Sequence, residues 1–181
     1  MPKEKLFSYP TRAHLVINIK YFQNIVVVSI DDLLQLQRES VLKLRFKVYS
    51  DGASRGNPGI SAIAFMIMTE DGRLLKRYSK YVGIRTNNQA EYEALISALE
   101  SASKLTDQEV TCCMDSELVV KQLNVEYQVR NPKLKTLWVK VQELKQKFQR
   151  VTFNSVPRTD THIKQVDRLA NQALDRVKKN L

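Results

Sequence analysis

The segment YSDGASRGNPG, residues 49–59, decides the fold because it joins two strands through a turn-rich stretch. Residues 46–51 (FKVYSD) have the composition of a strand, which we predict to end at Asp51, and the glycines, serine, asparagine and proline that follow predict a turn. Residues 61–69 (SAIAFMIMT) predict a second strand. The Asp71-Gly72 pair predicts a tight hairpin into a third strand over residues 73–82. Three consecutive antiparallel strands are therefore expected.

After this meander, helices and strands alternate. A helical period of apolar residues predicts a helix over residues 88–103, and a proline near the start of a later segment suits the first turn of a helix. A strand that is followed by a helix and then by another strand favours parallel pairing, so the sheet is expected to be mixed, with helices on its faces. The remaining predicted elements are a strand at 109–114, helices at 116–123 and 132–149, a strand at 151–156 and a helix at 163–178.

Residues 1–45 read as a separate N-terminal extension, and residues 46–181 as the main domain. Two β-rich runs, 14–21 and 24–30, predict strands that turn at Phe22-Gln23. Asp31 or Asp32 is expected to cap a following helix. We interpret the extension as a strand–strand–helix accessory element.

Composition narrows the function classes. The chain of 181 residues has a net charge of +10, which favours a polyanionic partner such as nucleic acid. No apolar run reaches the roughly 18 residues that a membrane span requires, and the N-terminus lacks a signal-peptide core, so we expect a cytoplasmic protein with no membrane partner. Cys112 and Cys113 are adjacent and would point to opposite faces of a strand, which predicts reduced thiols.

Carboxylates fall where predicted strands end or predicted helices begin. Asp51 and Asp115 follow strands, whereas Glu91 and Asp167 lie near helix starts. Taken singly, an acid at a helix start is more often a capping or dipole-stabilising residue, and an acid at a strand end is commonly a turn residue. If they converge, however, their mutual repulsion requires a cation, and hard oxygen ligands select Mg²⁺ or Mn²⁺. Two such ions can support phosphodiester hydrolysis.

Flanking residues tie these acids to a known family. The blocks YSDGASRGNPG, RTNNQAEYEALISAL, MDSELVVKQLNVEYQVRN and VPRTDTHIKQVDRLANQAL together resemble the type 1 ribonuclease H family over residues 46–178, in the compact archaeal and bacterial branch. The resemblance implies an α/β ribonuclease H-like fold with a five-stranded mixed sheet in the order 3-2-1-4-5. It also implies that two Mg²⁺ ions, with Mn²⁺ as a substitute, bind at four catalytic carboxylates and support hydrolysis of the RNA strand of an RNA–DNA hybrid. Those carboxylates are Asp51, Glu91, Asp115 and Asp167.

The resemblance further implies contacts to each strand of the substrate. One group of residues approaches the RNA strand, one asparagine contacts both strands, and a third group holds the DNA strand. Helix capping and turn formation are ordinary alternatives for several of these positions. The residues that approach the RNA strand are Ser54, Gly56 and Asn57, the asparagine that contacts both strands is Asn88, and the residues that hold the DNA strand are Thr86, Asn87 and Asn131.

One position departs from the family pattern. Many members have a loop histidine about ten residues before the last aspartate, where it assists product release, but Pro157 occupies that spacing here. His162 lies five residues before Asp167 and is the candidate substitute. A solvated loop histidine without a catalytic role is the alternative.

Other functions remain open at this stage. The nuclease could also accept RNA–RNA duplexes, or the chain could be a non-catalytic nucleic-acid-binding module, although intact converging acids argue against an idle site. An integrase-like relative fits the Gln89-Ala90-Glu91 block poorly. Residues 1–45 do not match the hybrid-binding domain of some relatives. Their charge of +3, from seven basic and four acidic residues, suggests an element that grips substrate or mediates dimerisation.

Overall fold

The contacts within the chain separate it into two units, Met1–Val41 and Leu42–Leu181. The computed structural model describes residues 14–16, 27–32, 34–35 and 45–179. The boundary lies within a few residues of the one expected from composition. Each unit is described by itself below.

In the N-terminal unit, strand β1 (His14–Val16) pairs antiparallel with strand β2 (Val27–Ser29), and residues 30–32 and 34–35 are helical. Ser29 caps this helical turn: its Oγ accepts from the Asp32 backbone N–H, and the Asp32 carboxylate accepts from the Ser29 N–H. The capping residue is thus Ser29, and the expectation that Asp31 or Asp32 fills that role was wrong. The predicted turn at Phe22-Gln23 lies outside the described residues.

The larger unit contains a five-stranded mixed sheet. Its strands are β3 (Phe46–Gly56), β4 (Gly59–Thr69), β5 (Leu74–Arg85), β6 (Glu109–Met114) and β7 (Arg150–Ser155). The strand order, β5-β4-β3-β6-β7, is the expected 3-2-1-4-5 when strands are counted from Phe46. The pairs β3·β4 and β4·β5 are antiparallel, whereas β3·β6 and β6·β7 are parallel.

Strand β3 is longer than local sequence predicts. It does not end at Asp51 but continues to Gly56, and the turn shrinks to Asn57-Pro58. The reason is tertiary: each residue from Ser50 to Gly56 has a partner on β4, so pairing holds a turn-rich sequence extended. The parallel pairing of β3 with β6 covers only residues 46–49 of β3, so Asp51 lies just beyond it.

Four helices flank the sheet: α1 (Asn87–Ala102), α2 (Glu117–Leu123), α3 (Pro132–Lys145) and α4 (Thr161–Lys179). Helix α3 ends at Lys145, four residues before the predicted end at Gln149. At Gln149 the backbone N–H bonds instead to the Asp107 carbonyl, and the chain continues into β7. Helix α4 begins two residues early because the Asp160 carboxylate accepts from the N–H groups of His162 and Ile163. The element order otherwise matches the prediction.

The core lies on both faces of the sheet. Helix α1 buries Ala94, Leu95, Ala98 and Leu99 completely. On another side, α4 packs against residues of β3, β4 and β6 in a cluster that includes Tyr49, Ala64, Met66, Cys113, Ile163, Val166 and Ala170.

Both cysteines are free and buried, as expected. Within the described parts of the chain, no helix is both long enough and apolar enough to cross a membrane.

Candidate functional site

Strand β3 and helix α1 approach each other unusually closely at Gly52. A Cβ atom on Gly52 would lie 2.2 Å from the backbone carbon of Ala90 and 2.3 Å from the backbone nitrogen of Glu91. No side chain fits in that space, so glycine is required after Asp51. The contact brings Glu91, in the second turn of α1, beside Asp51 on β3.

Three carboxylates meet at this contact. Asp51, Glu91 and Asp115 each offer an oxygen, and these oxygens all lie within 4.8 Å of one another. Asp115 follows the last residue of β6, and the parallel β3·β6 register carries it to the level of Asp51. Asp167 comes from the second turn of α4 and lines the same cavity of about 420 Å³, which we call the acid cavity. The Asn171 Nδ2 donates to the Asp167 carboxylate at 2.9 Å.

Burial makes this cluster electrostatically costly. Asp51 is 7% exposed and Glu91 3% exposed. Burial, followed by the charges of Asp115 and Asp167, raises the pKa of Asp51 to about 7. Burial and the charges of Asp51 and Asp115 raise the pKa of Glu91 well above its usual range. The Gly52 N–H and the Arg158 guanidinium act in the opposite direction and do not offset these effects.

The donor set fits a divalent cation. Asp51 Oδ2, Glu91 Oε2 and Asp115 Oδ1 are buried oxygens without a hydrogen-bond partner. Buried polar atoms normally have a partner, and each of these is a hard oxygen of the kind that Mg²⁺ and Mn²⁺ prefer. The three acids could therefore hold a metal ion, which would supply the missing partner and reduce the repulsion.

A second cavity, of about 800 Å³, is built mainly from uncharged groups and is called here the amide cavity. The N-termini of α1 and α3 both line it. Thr86 caps α1 by accepting from the Gln89 N–H, and Asn131 caps α3 by accepting from the N–H groups of Lys133 and Leu134. Two helix N-termini on one cavity, with Arg85 and Lys133 beside them, favour an anion such as a phosphate.

The predicted site residues divide between these cavities. The Asn87 N–H donates to Asn57 Oδ1 at 3.2 Å and so links the two groups. The acid cavity contains Asp51, Ser54, Asn87, Glu91, Asp115 and Asp167, and the amide cavity contains Asn57, Thr86, Asn88 and Asn131.

Two predicted residues line neither cavity. Gly56 ends β3 at a φ of 107° and accepts a hydrogen bond from the Ser54 hydroxyl. His162 lies in the first turn of α4 and stacks on Tyr49 with ring centroids 4.5 Å apart. The structure thus places His162 against a core ring and not among the acids.

Residues that the sequence did not single out also line the acid cavity. Arg158 donates from Nε to Asp115 Oδ2 at 2.9 Å, while Lys164 and Asn171 come from α4. Arg158 stands nine residues before Asp167, inside the block VPRTD, near the spacing at which a loop histidine was sought. A search for any cation at that spacing, and not for histidine alone, would have found it.

Comparisons with known proteins agree with this geometry. A family model described as "Reverse transcriptase-like" matches residues 49–173. The ribonuclease HI of Halobacterium salinarum is 40% identical over 131 residues, which make up 72% of this chain and 65% of that relative. The crystal structure of RNase H1 from this halophilic archaeon has a TM-score of 0.70 and 39% identity, covering 73% of this chain and 98% of that one.

A third comparison adds a ligand. LC11-RNase H1, solved in complex with an RNA/DNA hybrid, has a TM-score of 0.68 and 40% identity, covering 73% of this chain and 98% of that one. Fold, sequence and the acid cluster thus agree. The chain belongs to the ribonuclease H type 1 family of hydrolases.

Proposed function

We propose that the protein is an endonuclease that hydrolyses the RNA strand of RNA–DNA hybrids. The observation that carries the proposal is the acid cavity, in which three carboxylates each keep a buried oxygen without a partner. Such an arrangement is costly unless a cation occupies it. The hybrid bound to LC11-RNase H1, a relative of similar fold, supports this choice of substrate.

Asp51, Glu91, Asp115 and Asp167 would hold two Mg²⁺ ions, with Mn²⁺ as a substitute. Ions bound there would supply charge stabilisation at the scissile phosphate and a water of lowered pKa. The chain supplies rigid placement, because Gly52 fixes Asp51 against Glu91 and the Asn171 amide holds the Asp167 carboxylate. Asp167, which is exposed, completes the set from the rim of the cavity.

The amide cavity would hold the DNA strand. Thr86 and Asn131 would set two helix N-termini around one phosphate of that strand, and Asn87, which lines the acid cavity, would hold the strand beside them, since its N–H donates to Asn57 of the amide cavity. Asn88, on the first turn of α1, would reach both strands, and hydrogen bonds to 2′-hydroxyl groups are the means by which a protein recognises RNA.

The β3–β4 turn would approach the RNA strand. The Ser54 hydroxyl is engaged with the carbonyls of Gly56 and Arg85, so its contribution is to shape this turn. Backbone groups near Gly56, together with the Asn57 side chain, would then make the contacts.

The deciding experiment follows end-labelled RNA as a single strand, as an RNA–RNA duplex and as an RNA–DNA hybrid. Each form is incubated with Mg²⁺, Mn²⁺ or a chelator, and the Asp51→Asn variant serves as control. We expect metal-dependent cutting of the hybrid alone, with at least about a 10³-fold loss in Asp51→Asn, because several kcal/mol of charge stabilisation depend on that site.

Two other results would change the conclusion. Cutting of both duplexes would keep the mechanism and broaden the substrate class to RNA–RNA duplexes. Binding of nucleic acid without cleavage in any metal would contradict the proposal and favour a non-catalytic binding module.

We propose that residues 1–45 form an accessory element and residues 46–181 the catalytic domain. The division of contacts near residue 41 supports treating them separately. We expect removal of residues 1–44 to weaken hybrid binding or to change the oligomeric state, measured by anisotropy and light scattering, while the acid cavity keeps its cleavage activity. If neither property changes, the accessory role is wrong.

A further inference from the structure

The Arg158 guanidinium contacts a carboxylate of the acid cavity directly. Its Nε donates to Asp115 Oδ2 at 2.9 Å, and its side chain is 85% exposed while that of Asp115 is 10% exposed. The guanidinium thus lies at the mouth of the cavity with one N–H directed to a largely buried carboxylate. Lys164 also lines this cavity, but no ion pair of its ammonium group is seen among the described residues.

The backbone around Arg158 is fixed on both sides. The Val156 N–H bonds to the Met114 carbonyl at 2.8 Å, which ties the chain to the residue before Asp115. On the other side, the Asp160 N–H bonds to the Pro157 carbonyl, and the Asp160 carboxylate caps α4. Any movement of the guanidinium away from Asp115 is therefore a side-chain rotation into solvent.

The pair competes with cation binding. Arg158 occupies a lone pair of Asp115 Oδ2, while Asp115 Oδ1 is buried without a partner. An ion pair with one exposed partner contributes little stability, so a divalent ion near three carboxylates is the stronger competitor. An arginine beside a divalent ion is also repelled by it.

We propose that Arg158 is a displaceable counter-ion: it neutralises Asp115 when the carboxylates carry no metal, and once they are loaded it turns outward to bind a phosphate of the nucleic acid. The planar guanidinium suits bidentate contact with phosphate. This proposal rests on the proposed metal site and assigns Arg158 the coupling between metal loading and substrate grip.

The first test measures metal binding without nucleic acid. Calorimetric titration of Mg²⁺ and Mn²⁺ into the full chain compares wild type with Arg158→Ala, Arg158→Lys and Lys164→Ala. Removing a direct competitor should tighten binding about three- to tenfold in Arg158→Ala, whereas Arg158→Lys should stay near wild type. Lys164→Ala removes the same charge from the same cavity without a direct contact and should change affinity by less than about twofold.

Three results would overturn the proposal. Equal or weaker metal binding in Arg158→Ala would exclude competition, and an equal effect in Lys164→Ala would reduce it to general electrostatics. Absence of metal binding in wild type and in every variant would reject both the metal site and the counter-ion role of Arg158. Metal binding with the expected Arg158 effect but no hybrid cleavage would instead reject the nuclease activity and leave the counter-ion role intact.

The second test addresses the phosphate contact. Fluorescence anisotropy measures hybrid affinity with a chelator and with Ca²⁺, under conditions where a gel shows the hybrid uncut. With Ca²⁺, Arg158→Ala should lower affinity about three- to tenfold and reduce the salt slope by about one. With the chelator the same variant should change affinity by less than about twofold, and an equal loss under both conditions would contradict the switch.

Discussion

The acid cavity and the amide cavity adjoin each other but differ in how their polar groups are satisfied. In the acid cavity, Asp51, Glu91 and Asp115 each retain an oxygen that is buried and without a partner. In the amide cavity, Thr86 and Asn131 accept hydrogen bonds from their own helices. The first cavity is incomplete without a cation, whereas the second is complete as it stands.

The two cavities therefore contribute differently to the stability of the fold. Buried like charges lower the stability of the metal-free fold, and this cost is recovered when a cation binds. Helix caps stabilise the fold whether or not substrate is present. Removing one of the acid-cavity carboxylates should therefore lower catalysis but raise the stability of the metal-free protein, whereas removing a helix cap in the amide cavity should lower both stability and hybrid affinity.

The largest effect is expected where the acid cavity is assembled. Gly52→Ala would place a Cβ 2.2 Å from the Ala90 backbone, so β3 and α1 must separate. We expect a loss of about 3 kcal/mol in the free energy of unfolding and at least about a 100-fold loss of cleavage, measured by urea titration and by the hybrid assay. Gly72→Ala is the control: its turn is open but has a φ of 87°, so it should cost only about 1–2 kcal/mol and leave cleavage unchanged. Similar losses of cleavage in both variants would contradict the role of Gly52.

Removing one buried charge should raise the stability of the metal-free protein, whereas Gly52→Ala should lower stability. Glu91→Gln should raise the unfolding free energy of the chelator-treated protein while abolishing cleavage, since burial and the charges of Asp51 and Asp115 make the ionised carboxylate unfavourable and raise its pKa. Glu93→Gln, on the same helix but paired with Arg85, should give no stabilisation. If Glu91→Gln destabilises the metal-free protein, the repulsion argument is wrong.

The pH dependence of the unfolding free energy tests the raised pKa of Asp51. Its pKa in the folded protein is about 7, against 3.8 ordinarily, so the native state retains a proton that the unfolded chain releases. Asp51 therefore stabilises the folded state most below about pH 4, where it is protonated, and this stabilisation is lost as the pH rises to about 7. With a chelator, wild type should lose about 4 kcal/mol relative to Asp51→Asn over that window and stay level above it. The unfolding free energies of both proteins are measured by denaturant titration at each pH. If their difference does not change with pH, the raised pKa of Asp51 is wrong.

The smallest effect is expected in the amide cavity. Thr86→Ala removes the cap of α1 and should cost about 1 kcal/mol of unfolding free energy. The Michaelis constant for the hybrid should rise a few-fold, with kcat changed by less than about twofold, because the role proposed for the cavity is to hold the DNA strand away from the reacting bond. Thr86→Ser keeps the hydroxyl and should restore both values. A fall in kcat without a change in the Michaelis constant would place Thr86 in the chemical step instead.

Sequence patterns predicted the order of the elements, the family resemblance implied the strand order, and the structure agrees with both. Strand β6 was predicted residue for residue, because an apolar strand between turn residues has few alternatives. The length of β3 was not predictable locally, since residues 52–56 favour a turn until β4 pairs with them. Position along the chain also suggested that His162 joins the site, but packing directs its ring to Tyr49.

By itself the sequence determined which residues could form the site: four acids in four separate blocks, each at a point where a strand or helix begins or ends, and the amides and glycines around them. Periodicity and turn chemistry act over a few residues, so they can place an acid on an element but cannot say which acids become neighbours. Only the tertiary structure decided that Gly52 admits α1, that three carboxylate oxygens remain unpaired and that Arg158 reaches Asp115. Those facts depend on contacts between residues far apart in the sequence, which local preferences do not encode: 43 positions separate Asp115 from Arg158, and 64 separate Asp51 from Asp115.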